Sequence, residues 1–142
     1  MMNERFTIGD DHVRFTSPDV VLPLGYQAIA HRFFRHTMPS AYDVEMAIAT
    51  IEDVIQATSI LRQVAQQASC VDPYLKEIAC ITGSHDMLTL QQIEDVFNRV
   101  ADVISGSPKR DGEFPDDIGF ISYLVIVREL SHHLGILQIM LV

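Results

Sequence analysis

The last quarter of the chain, Asp116 to Val142, reads DDIGFISYLVIVRELSHHLGILQIMLV and limits what the rest can fold into. A near-continuous apolar run leads into Arg128-Glu129-Leu130-Ser131-His132-His133. A helix that is apolar on every side has no face to give to water, so other elements must surround it. Asp116 or Asp117 is placed to cap it, and Gly135 stands at the position that ends it, at about His133 or Leu134. Ile136 to Val142 carries no charge and is rich in strand-forming residues, so it reads as a terminal strand.

The surrounding elements are visible upstream. Phe6-Thr7-Ile8 and His12-Val13-Arg14-Phe15 flank Gly9-Asp10-Asp11, an alternating pattern about a turn that predicts a β-hairpin. An isolated hairpin is barely stable in water and needs a further strand or a helix to lie on. Ser17-Pro18-Asp19 reads as a turn. A helix is expected from Leu24, with Tyr26, Ile29, Ala30, Phe33 and Phe34 on one side, until Thr37-Met38-Pro39 stops it. Ser40, with Asp43 in the first turn, opens the clearest helix, whose stripe runs from Val44 to Ala65 with a weak point at Thr58-Ser59.

Residues 70–83 admit two readings. Asp72-Pro73 fits the start and Gly83 the end of a short helix; a strand around Ile78 to Thr82 is the alternative. Thr89 and Gln92 form a capping box for a helix with Leu90, Ile93, Val96, Phe97, Val100, Val103 and Ile104 inward. Residues 107–115 form a polar loop that is expected to be mobile.

The architecture expected is α+β and mostly helical, a single domain over residues 1–142. Four to five helices pack with a small antiparallel sheet built from the N-terminal hairpin and the C-terminal strand. At 142 residues, a chain of this length can bury enough surface to fold without a metal or disulfide staple.

Charge and composition narrow the function. Lys and Arg number 10 against 19 Asp and Glu, a net charge of −9. Such a chain repels nucleic-acid backbones and anionic membrane surfaces, so neither is expected as a partner. Met1-Met2-Asn3-Glu4-Arg5 is polar with no apolar segment behind it, and no stretch reaches the length of a membrane span. Cys70 and Cys80, ten apart, match no metal knuckle or redox pair. The reading is a cytoplasmic protein with reduced thiols, Cys80 buried in its apolar run and Cys70 the more exposed.

Two clusters carry candidate chemistry. On a helix Glu129 faces His132 and His133, and Arg128 faces His132. A Glu-x-x-His pair can present metal ligands, but di-iron chemistry needs a second such pair, and the sequence has none. Glu45 and Glu52, seven apart on one helix face, supply carboxylates for half a site. The plainer account is a set of ion pairs at a helix C-terminus.

The second cluster, His31-Arg32-Phe33-Phe34-Arg35-His36, sets two arginines and two histidines on one helix. These suit a phosphate or carboxylate, or else pair internally with Glu45, Glu52 or Asp53. Ser84-His85-Asp86 is loop and cap chemistry, since neighbouring side chains diverge and cannot form a triad. Glycine-rich nucleotide loops, a nucleophile elbow and a calcium loop are all absent.

Two functions follow. The first is a non-catalytic protein that self-associates, as a homodimer, or serves as an accessory to a protein partner. It rests on apolar surface in excess of what a small domain buries, and it calls for no cofactor. The alternative is a small enzyme or anionic-ligand-binding domain. There Glu129, His132 and His133 meet the His31–His36 helix across a pocket, one histidine acts as general base, Arg32 or Arg35 holds an anion, and a divalent metal is the cofactor.

Overall fold

The computed structural model describes residues 4–16, 19–35, 38–58 and 66–142. The expected hairpin forms from β1 (Glu4–Ile8) and β2 (Val13–Thr16), with Phe6 opposite Phe15 and Ile8 opposite Val13. Phe6, Ile8, Val13 and Phe15 all point inward and are buried. A third strand, β3 (Asp19–Leu22), continues this antiparallel ladder where a turn was expected. Only Leu22 of its four residues is buried, so it lacks the alternation that marks a strand in sequence.

Helix α1 (Tyr26–Phe33) is shorter than its pattern implies, and Phe34 turns extended and buries its ring. Helix α2 (Ala41–Ala57) starts with a reciprocal capping box between Ser40 and Asp43. Its expected continuation to Ala65 falls on residues 59–65, outside the described residues. Strand β4 (Gln67–Cys70) follows, and then α3 (Pro73–Thr82) with Gly83 left-handed at its end, which decides the ambiguous segment as a helix. Short β5 (Met87–Thr89) leads into α4 (Leu90–Ile104), whose Thr89–Gln92 capping box forms as expected. Helix α5 (Ile118–Leu134) is capped by Asp117 and ended by left-handed Gly135, and β6 (Gln138–Leu141) closes the chain.

Among the described residues the sheet has six strands in the order β3-β2-β1-β4-β6-β5. The fold is α+β as expected, but the sheet is larger and mixed. β1, β4 and β6 run parallel, while the outer strands are antiparallel. The C-terminal strand therefore does not meet the hairpin, because β4 lies between them. Parallel neighbours need a long crossover, and the helices supply it.

Helix α5 packs against α1, α2, α3 and α4 and touches β1. Residues Gly119 to Val127 are all buried. The all-round apolar helix is thus covered within one chain. The loop at 107–115 is tied down as well. Arg99 bonds Glu113 and the Pro108 carbonyl, and Phe114 is buried beneath Lys109.

Candidate functional site

A cavity of about 340 Å³ opens at the C-terminal ends of β1 and β4. Ligands of open sheets with parallel strands bind beyond those ends, where connections diverge and leave a crevice. Ile8 and Gly9 form one wall as β1 ends, Tyr26 of α1 another, Asp72, Pro73, Tyr74 and Glu77 a third as α3 begins, and Tyr123 of α5 the floor.

Asp72 organises this site. It occupies the N-cap position of α3, with Pro73 behind it, yet its side chain makes no cap bond. Instead Asp72 Oδ2 accepts from the Ile8 amide at 2.8 Å and from the Tyr123 hydroxyl at 2.8 Å. Both donors are buried, so the carboxylate is fixed where β1, α3 and α5 converge. Cys70 Sγ lies 3.7 Å from the same Tyr123 hydroxyl.

Two further tyrosines repeat the pairing. Tyr74 donates to Asp117 Oδ2 at 2.7 Å, and the Asp10 carboxylate lies beside Tyr26. The rings pack as a unit: Tyr26 stands edge-on to Tyr74 at 5.2 Å, and Tyr74 lies 5.6 Å from Tyr123. Each phenol is held neutral. The interaction with Asp10 raises Tyr26, burial and then the Asp117 bond raise Tyr74, and burial raises Tyr123 well above its ordinary value. Burial, with Asp72 adding to it, pushes the Cys70 thiol up to about 12. These groups donate hydrogen bonds and cannot serve as bases or nucleophiles near neutral pH.

The turn after β1 seals the start of α1. The amides of Tyr26, Gln27 and Ala28 donate to the Gly9 and Asp10 carbonyls at 3.0, 3.1 and 3.1 Å. Gly25 makes this possible, because a Cβ there would sit 2.2 Å from the Asp10 carbonyl oxygen. The first turn of α3 is the one that faces the cavity. First-turn amides have no intrahelical acceptor, and here they belong to Tyr74 and Leu75. Among the described residues Asp72 and Glu77 are the carboxylates that line the cavity, and no Lys, Arg or His of those residues lines it.

The residues expected from sequence lie elsewhere. Glu129 and His133 do meet, with Nε2 3.2 Å from Oε1, and Glu52 of α2 joins them at 2.9 Å from the same nitrogen. Arg128 bonds Glu129 at 2.6 Å and Glu94 at 3.3 Å, and His132 lies 3.7 Å from Glu94. His31 and Arg32 are exposed in the last turn of α1, with Arg32 over the Phe33 ring. Arg35 lies beyond the helix, because Phe34 leaves helical geometry to bury itself, and so it shares no helical face with His31. His36 lies outside the described residues. Among the described residues no hydrogen bond or ion pair joins His31, Arg32 or Arg35 to the Glu129 cluster. Glu52 pairs with His133 in place of an arginine. Ser84 accepts from Gln92 and so belongs to the start of α4, as expected of that loop. The cysteines are reversed: Cys70 is buried within β4, and Cys80 is exposed.

The fold is similar to that of about half of several larger solved structures. Over 97% of its length the chain superposes on an Aquifex aeolicus PPX-GPPA enzyme with a TM-score of 0.72 and 11% identity, covering 52% of that protein. The type II variant of the A. aeolicus Ppx/GppA phosphatase gives 0.71 at 13% identity, again over 97% of this chain and 52% of that one. An exopolyphosphatase-like protein gives 0.69 at 12% identity, over 93% and 49%. The chain thus spans about half the length of these structures. No family model matches the sequence. No curated protein matches it significantly either.

The likeness to these phosphatase structures overturns the expectation of a non-catalytic interaction protein. That expectation rested on surplus apolar surface. α5 is instead wrapped by four helices, and β6 is paired on both sides, by β4 and β5. No helix among the described residues is long and apolar enough to cross a membrane.

Proposed function

We propose that the chain is a phosphatase-like domain that binds a phosphate ester or phosphoanhydride in the cavity between β1, α1, α3 and α5. The observation that carries this reading is the cavity's position. It lies at the C-terminal ends of neighbouring parallel strands, in a fold shared with Ppx/GppA phosphatases. The first-turn amides of α3 suit a phosphate oxygen. The lining is acidic, so a bare anion is repelled; the phosphate enters as a complex with a hard divalent cation, for which Asp72 and Glu77 offer oxygen donors. Asp72 is held in place by its two donors, and exposed Glu77 at the rim would complete the carboxylate pair that holds such a cation. With half the length of the structures it matches, the chain is tested first for binding and second for turnover.

The test is calorimetric titration with pyrophosphate and with a short inorganic polyphosphate, each with and without Mg²⁺. Orthophosphate release is followed in the same samples. Binding that requires Mg²⁺ and is lost in Asp72→Asn and Glu77→Gln supports the reading. Absence of binding by the folded wild type with Mg²⁺ present refutes it.

A further inference from the structure

The far end of α5 holds a second constellation that the phosphate reading does not use. Glu129 and His133 stand one turn apart on α5, and Glu52 reaches across from α2. One donor atom from each lies within 4.8 Å of the other two. His133 Nε2 faces Glu52 Oε2 at 2.9 Å and Glu129 Oε1 at 3.2 Å. That nitrogen carries at most one hydrogen, so it cannot donate a full hydrogen bond to both carboxylates. A single ion among the three atoms answers both. A tetrahedral zinc at about 2.0–2.1 Å from each donor sets the donors about 3.3 Å apart, close to the spacing about His133.

The charge balance agrees. Arg128 pairs with Glu94 and Glu129, and Glu52 meets His133, so three carboxylates stand with one guanidinium, which leaves two negative charges for a divalent cation to offset. Glu129 is itself 1% exposed, and Arg128 grips its other oxygen at 2.6 Å, so one ligand is oriented before any ion arrives. Glu52 and His133 are partly open to solvent and give an ion its way in.

We propose that Glu52, Glu129 and His133 form a binding site for a divalent transition-metal ion. Zinc best fits one imidazole and two carboxylates, and it leaves a fourth position to water. The ion ties α2 to the C-terminal end of α5. Ten residues separate His133 from Tyr123, about 15 Å along a helix, so this site is independent of the cavity.

The experiment is zinc titration of the chelator-stripped full chain by calorimetry, with bound metal counted after gel filtration and melting temperature followed in parallel. One zinc per chain and a raised melting temperature are expected. Both effects should vanish in Glu52→Gln and in His133→Asn, which alter partly exposed side chains, and persist in His132→Asn. If the folded wild type retains no stoichiometric zinc, or if His133→Asn retains it, the three side chains are an ion-pair cluster only and the proposal fails.

Discussion

The Tyr123 hydroxyl and the Asp72 carboxylate meet at 2.8 Å, and the carboxylate oxygen that receives the phenol also receives the Ile8 amide. This one oxygen joins the central helix, the start of α3 and the end of β1. Tyr123→Phe keeps the ring packing and removes a hydrogen bond to a buried charged group. A loss of about 1.5–3 kcal/mol is expected from urea unfolding. Tyr74→Phe, whose bond to Asp117 is only partly buried, should cost less, about 1 kcal/mol. Equal losses would mean that Asp72 is not the junction of these three elements.

Gly25 lets the turn after β1 close over the start of α1. A methyl group at Gly25 meets backbone that cannot swing aside, whereas at Gly9 it meets only the His12 carbonyl at 3.5 Å, an ordinary contact. Gly25→Ala should therefore destabilise well beyond ~1 kcal/mol. Gly9→Ala should stay within about 0.5 kcal/mol. Thermal melts of the two variants side by side check the contrast.

Local chemistry was legible in the sequence wherever it was confined to one element. Ser40 with Asp43, Thr89 with Gln92, Asp117, Gly83 and Gly135 mark helix ends by backbone requirements that are met within a few residues. β4 is Gln-Ala-Ser-Cys and shows neither alternation nor an apolar run, although it is the strand that separates β1 from β6. Without it the sheet order could not be read. The cavity was hidden for a similar reason. Tyr26, Tyr74 and Tyr123 sit on three helices and look like separate core aromatics until the fold brings them together. The available clue was Asp72-Pro73, an acidic residue at a helix start. The Glu129–His133 pair was legible because both lie on one helix, and Glu52 was visible as a carboxylate on α2, but the contact between them is tertiary.

The two thiols should separate cleanly in labelling. Cys80 is exposed and should react with a maleimide in the native protein, while Cys70 should react only after unfolding. The Cys70 thiol also predicts an alkaline limb. Its folded value, about 12, lies above its ordinary 9.0, so its contribution to stability is complete below pH 9.0 and is lost as pH rises towards about 12. Tyr26, Tyr74 and Tyr123, raised as well, act with the same sign. Urea midpoints should fall across that window, and less steeply in Cys70→Ala.

Arg128 gives the sharpest stability test, because its two partners differ in burial. The side chain of Glu129 is 2% exposed and that of Glu94 is 20% exposed. Arg128→Met fills similar space but leaves the Glu129 carboxylate without its guanidinium, and a buried charge that loses its partner typically costs about 3–5 kcal/mol. Glu94→Gln removes only the more solvated contact, for which about 1 kcal/mol or less is expected. The double variant Arg128→Met with Glu129→Gln removes the charge along with its partner, so it should recover much of the single-variant loss. Urea unfolding in the presence of chelator, which keeps metal from standing in for the lost cation, measures all three. If Arg128→Met alone costs no more than Glu94→Gln, then His133 compensates Glu129 unaided, and Arg128 is not what keeps that carboxylate in the core.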